Sequence, residues 1–145
     1  MTALDLALAY VARGWSPVPV PHRKKRPTFD RWQELRIGEA DAHRYFNGSV
    51  QNLGVILGRA SGGLVDIDLD CPQALRVARE VLPPTEAVFG RESKPGSHRL
   101  YYCGALDPET GEAHAERCET TQFKDPTDNA MLVELRGDAQ GDGSQ

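Results

Sequence analysis

The stretch Gly63-Leu64-Val65-Asp66-Ile67-Asp68-Leu69-Asp70 decides how this chain is read. Side chains alternate across a strand, so Asp66, Asp68 and Asp70 share one face, with successive carboxylates about 7 Å apart. Leu64, Val65, Ile67 and Leu69 bracket them, which makes the strand partly buried. Like charges at a low-dielectric strand end repel, and either protonation or a divalent cation relieves them. Hard oxygen ligands suit Mg²⁺ or Mn²⁺. The plainer reading is a solvent-facing strand edge with incidental acids. Asp70 has a further reading of its own, as the cap of a helix that begins near Pro72.

Working outward, Pro72 opens a helix to about Val81, and Pro83-Pro84 stops it. EAVFGRE (86–92) reads as a strand, SKPGS (93–97) as a turn and HRLYYC (98–103) as a strand. Residues 104–118 are polar and read as a loop, and TTQFKD and AMLVELRG as two more short strands. The tail GDAQGDGSQ (137–145) is rich in Gly and Asp and is expected to fray, so that residues 139–145 form a disordered end. Upstream, residues 3–13 set Leu4, Ala7, Leu8, Val11 and Ala12 on one helical face, with Thr2 as N-cap and Gly14 as stop. WSPVPVP (15–21) is an extended edge segment, since its prolines cannot donate ladder hydrogen bonds. HRKKRP (22–27) is a basic loop, residues 28–36 end in a short Trp-bearing helix, and 39–47 form another. NLGVILG (52–58) is a buried strand closed by the turn RASGG (59–63). The sum is an α+β fold, helices first and then a mostly antiparallel sheet.

Composition narrows the class. The 145 residues suit one domain, and 39% hydrophobic with 26% charged residues excludes a wholly disordered chain. No apolar run reaches the roughly 18 residues of a membrane span. The first residues carry Asp5 and no basic leader, which reads as an amphipathic helix and not a signal peptide. Three cysteines without a C-x-x-C pattern suit reduced thiols in a cytoplasm. His114, Cys118 and Cys103 supply three ligands where a zinc knuckle needs four, so zinc is not expected.

Three other places could carry chemistry. His98 opens an apolar strand after a tight turn. It is either packed at the strand end or a donor to a phosphate, with Lys94 and Arg99 nearby and Gly96 letting a phosphate come close. Glu134 is a lone acid in MLVELRG, either paired with Arg136 on the same face or a metal ligand. The run Arg23-Lys24-Lys25-Arg26 is either a solvated turn or a track for a phosphate backbone.

These motifs fall in a recognisable order. Gly14-Trp15 is followed by Pro17-Val18-Pro19, then Lys25 and Pro27, then Trp32-Gln33. Asn52 through Gly58, Gly63 through Asp68, His98 ahead of an aromatic strand, and Glu134 ahead of Arg136-Gly137 complete the series. From about residue 4 to 138 the chain resembles the bifunctional DNA primase/polymerase (prim-pol) N-terminal domain, a branch of the archaeo-eukaryotic primase superfamily. The resemblance implies a catalytic domain with an RRM-like core over residues 1–138. It implies catalytic Asp66, Asp68, His98 and Glu134, with Asp66, Asp68 and Glu134 as ligands of two Mg²⁺ or Mn²⁺ ions. Lys94, Ser97, His98, Arg99 and Lys25 would contact the nucleotide. Ser97 meets the family's S-x-H only loosely, being adjacent to the histidine, and Glu134 stands where the family commonly has Asp.

The activity so implied is template-dependent nucleotidyl transfer, with nucleoside triphosphates as substrates and single-stranded DNA as template. A replicative helicase is the implied partner. A nucleotide- or single-stranded-DNA-binding module without activity, and a metal-dependent phosphoesterase, are the alternatives. In the family the acid-R-G strand is followed by a Gly-rich turn and a further strand. This sequence ends within that turn, which reads as a truncated or partial domain.

The formal charge of −4 is unevenly spread. Residues 1–36 hold seven basic groups against three acidic ones, a local +4, and the remaining ten basic and eighteen acidic groups make −8. Bound cations would offset part of that acidity, so a nucleic-acid partner stays open. The expected affinity is modest and salt-sensitive.

Overall fold

The computed structural model describes residues 1–138, which divide into two compact units. The first contains Met1–Ile56 with Ala60–Gly62, and the second Leu57–Arg59 with residues 63–138. The whole is α+β, as the residue pattern predicts.

In the first unit, helix α1 (Ala3–Ala12) is held at its start by a capping box. Asp5 N–H donates to Thr2 Oγ1 at 3.1 Å, and Thr2 N–H to Asp5 Oδ2 at 2.8 Å. Its Ala7 is buried with Ile37, Ala42 and Phe46, and Leu4 and Leu8 pack on the same cluster. Ala42 belongs to a short helix, α2 (Glu39–Tyr45). Strands β1 (Ser16–Pro21) and β2 (Gln51–Ile56) pair antiparallel, Ser16 opposite Ile56 and Pro21 opposite Gln51. Pro17, Pro19 and Pro21 alternate along β1, which suits a strand paired on one side only. The helix expected at the end of 28–36 is only a 3₁₀ turn, Trp32–Glu34. Arg31 before it adopts φ +55, which no α-helix accommodates, and no side chain caps the turn.

The second unit is built on a five-stranded antiparallel sheet. Its members are β3 (Leu64–Leu69), β4 (Val88–Phe89), β5 (His98–Tyr102), β8 (Thr121–Lys124) and β9 (Met131–Arg136), in the order β4-β5-β3-β9-β8. Central β3 follows from its apolar run, and helix α3 (Pro72–Val81) comes directly after it. The α3 cap corrects one expectation. Cys71 is the N-cap and its Sγ accepts from Ala74 N–H at 3.4 Å, while the Asp70 carboxylate is turned to Lys94. Pro72 fills the first helical turn, and Leu82 is extended, as a residue before proline must be.

The segment 104–118 is not a plain loop. It contains a hairpin of β6 (Gly104–Leu106) and β7 (Ala113–Ala115). Its strands are three residues long and exposed, so no alternation of polar and apolar residues marks them in the sequence. The turn is closed by Asp107, whose Oδ1 accepts from the Glu109 and Thr110 N–H groups. β4 is likewise shorter than the expected 86–92. At Gly90 the chain passes so close that a Cβ would lie 2.3 Å from the Lys94 carbonyl oxygen, which ends the pairing and starts the turn. Among the described residues no helix is long and apolar enough to cross a membrane.

Candidate active site on the central strands

Strand register gathers the site. Asp68 pairs with His98 on one side and Glu134 on the other, and Asp66 with Leu100 and Arg136. Directly opposed residues point to the same face, so Asp66, Asp68, His98, Glu134 and Arg136 share one face of the sheet. Asp66, Asp68 and Glu134 are all buried. Gln122 and Phe89, opposite Glu134 and His98, extend the same row.

Buried carboxylates need partners. His98 Nδ1 and Asp66 Oδ2 share a hydrogen bond of 2.9 Å, which leaves Nε2, 3.9 Å from Asp68 Oδ1, as the second working nitrogen of the ring. The Phe89 ring stacks on the imidazole with centroids 4.8 Å apart. Arg136 lies among the acids. Its Nη2 donates to Asp68 Oδ2 at 2.7 Å and its Nε to Glu134 Oε2 at 2.6 Å, with Nη1 3.9 Å from Asp66. Lys94 donates to Asp70 Oδ1 at 2.6 Å and reaches Asp68 Oδ1 at 3.3 Å. Four carboxylates therefore meet two permanent cations and one imidazole.

The titration shifts follow from this arrangement. Burial raises Asp66 above the ordinary carboxylate value, and His98 and Arg136 only partly offset it. Burial works in the same direction on Glu134, but hydrogen bonds from Gln122 and Arg136 outweigh it and hold the group below its usual value. Burial would lower Lys94, yet Asp70 and Asp68 hold it above its usual value.

The donor chemistry suits a hard divalent cation. All three acids offer oxygen, and Asp66 Oδ1 is buried with no hydrogen-bond partner. Among the described residues no three His, Cys, Asp or Glu side chains converge closely enough to hold an ion. The Arg136 guanidinium lies between Asp68 and Glu134 instead.

The other sequence-predicted residues divide. Lys94 joins the site. Ser97 is buried beside His98, its carbonyl accepting from Leu69 N–H and its Oγ without a partner. Arg99 does not join. Opposite Ile67, it points to the other face of the sheet, because neighbours along a strand alternate and His98 already takes the acid face. Lys25 is an exposed residue of the first unit. His114 Nε2 lies 3.8 Å from Asp107, and burial against Cys103 pushes the Cys118 thiol up to about 11. Asp70, which the sequence offers both as a same-face acid and as a helix cap, joins the site through Lys94, whereas sequence reasoning missed Gln122 and Phe89. Only the cross-strand register could have found the last two.

The family model for the bifunctional DNA primase/polymerase N-terminal domain matches residues 7–143. The chain belongs to this family. Membership makes it a primase/polymerase-type domain of DNA replication, the nucleotidyltransferase class that the order of motifs implies. No curated protein matches the chain.

Proposed function

We propose that this domain joins the 3′-hydroxyl of a primer, or of a first nucleotide, to the α-phosphate of an incoming nucleoside triphosphate on a single-stranded DNA template. The observation that carries the reading is the double register at Asp68, with His98 on one side and Glu134 on the other. It brings oxygen ligands and an imidazole together on one face of the sheet.

In this reading Asp66, Asp68 and Glu134 would hold Mg²⁺ or Mn²⁺. Two such ions, when bound, acidify a hydroxyl and neutralise a departing pyrophosphate. The chain's own residues do the rest. His98, held by Asp66 through Nδ1, offers Nε2 to a phosphate oxygen. Lys94 and Arg136 are cations on the same face, and a triphosphate competes with Asp68 and Glu134 for them. Arg136 therefore leaves the carboxylates when substrate charge arrives, and the acids become free as ligands. Arg99 has no part in this, because it faces away. The helicase partner and the cytoplasmic setting belong to the same reading.

Primer synthesis on single-stranded DNA with Mg²⁺ or Mn²⁺ tests it. Labelled products are expected from the native sequence and none from Asp66→Asn/Asp68→Asn. Unchanged synthesis by that double variant overturns the mechanism. The ion pairs of Arg136 also favour one second reading, a binding module without turnover. It predicts nucleotide binding with no pyrophosphate released.

A further inference from the structure

The first unit carries a second cluster of functional groups. β1 ends at Pro21, and the residues after it, His22 through Arg26, are exposed. No carboxylate among the described residues pairs with Arg23, Lys24 or Lys25. The loop is nevertheless held in shape. Lys24 N–H donates to the Pro21 carbonyl at 2.9 Å, Asn52 Nδ2 donates to the Lys24 carbonyl at 3.3 Å, and Arg23 adopts φ +60. Beside it lies a groove of about 310 Å³. Pro19, Pro21, Phe29 and Val50 form its apolar walls, Thr28 and Ser49 add hydroxyls, and His22 belongs to both groove and loop. Phe29 is 38% exposed and Val50 76%.

A flat apolar ring at the mouth of a groove, next to unpaired cations, is the combination that binds unstacked nucleotides. We infer that this groove receives one base of a single-stranded DNA, stacked on Phe29, while Arg23, Lys24 and Lys25 take the neighbouring phosphates. The volume is at the small end for a ligand site and is enough for one base. Thr28 and Ser49 can hydrogen-bond whichever base edge is presented, so little sequence preference is expected. A base inside a duplex would first have to be flipped out. A free nucleotide offers the same chemistry of ring and phosphates. A strand is favoured because three consecutive cations suit several phosphates along a backbone. The inference rests on the proposed single-stranded template, but it concerns residues that take no part in the carboxylate cluster.

The test is fluorescence anisotropy with a labelled twelve-residue oligo(dT), titrated from 50 to 200 mM salt. Phe29→Ala is expected to weaken binding about tenfold with the salt slope unchanged, because stacking releases no counterions. Phe29→Tyr should restore affinity. The triple variant Arg23→Gln/Lys24→Gln/Lys25→Gln should lower the slope by about 2, near 0.7 for each phosphate lost. The inference is overturned if Phe29→Ala binds like the native sequence, or if unlabelled blunt duplex competes as well as single strand. It is also overturned if deoxythymidine triphosphate displaces the oligonucleotide at equal phosphate concentration. The Asp66→Asn/Asp68→Asn variant separates the two readings: loss of synthesis with oligonucleotide binding intact supports both. Synthesis that survives in that variant sinks the catalytic reading alone.

Discussion

On the shared face of β3, β5 and β9 every carboxylate touches an arginine, a lysine or a histidine, whereas on the loop after β1 no carboxylate among the described residues pairs with Arg23, Lys24 or Lys25. The contrast follows from burial. A charge taken out of water must be compensated within the protein, so the acids of β3 and β9 come with partners of their own. A charge left in water costs little, and the loop can keep its cations for an outside polyanion. The first arrangement is rigid and selective. The second is available, and screened by salt.

The comparison can be broken most directly at the acids. Primer synthesis should fall to background in Asp66→Asn/Asp68→Asn, with the fold intact by circular dichroism. A variant that keeps its activity would show that the paired face is structural. The next largest effect is expected at Arg136. Arg136→Ala strips partners from Asp68 and Glu134 at once, and urea unfolding should register a loss of about 1–2 kcal/mol. The loss stays below that of a fully buried pair because the arginine side chain is 42% exposed. The same variant should bind Mn²⁺ more tightly than the native sequence by paramagnetic resonance, since a competing cation has gone. Equal Mn²⁺ affinity would break the idea that guanidinium and metal compete.

A smaller, pH-dependent effect sharpens the comparison. Burial raises Asp66, so the folded state prefers its neutral form. That preference helps folding below the ordinary carboxylate value near 3.8 and is lost as pH rises through the higher folded value. Asp66→Asn removes the titration. The variant should therefore gain stability relative to the native sequence between pH 4 and pH 7, measured by paired urea melts. An opposite slope would mean that His98 and Arg136 outweigh burial. The smallest effect belongs to the loop. Arg23→Gln/Lys24→Gln/Lys25→Gln should change stability by no more than about 0.5 kcal/mol, as expected of exposed charges.

Much of the fold was legible because it is local. Thr2 announces the start of α1, Pro72 that of α3, and Pro83 its end. The alternation in residues 63–70 marks β3. Elements with no such local signature were not legible. β6 and β7 are exposed and three residues long, and the cap of α3 went to Cys71 because Lys94 drew Asp70 away. In the site, Asp66, Asp68, His98 and Glu134 were identifiable by residue type and motif order. The side of the sheet that each occupies was not. Arg99 follows His98 directly, and alternation alone turns it to the opposite face once the register has turned His98 toward Asp68.

The sequence by itself determined that the segments of β3, β5 and β9 are strands, which acids lie along β3, and that the first 36 residues carry net positive charge. These depend on the alternation of side chains and on turn residues, interactions that span a few positions of the chain. Only the tertiary structure decided that Glu134 and His98 flank Asp68, that Gln122 reaches Glu134, and that Arg136 lies between Asp68 and Glu134. Those contacts join residues up to 68 positions apart. Strand register sets such contacts, and it depends on how whole faces bury together.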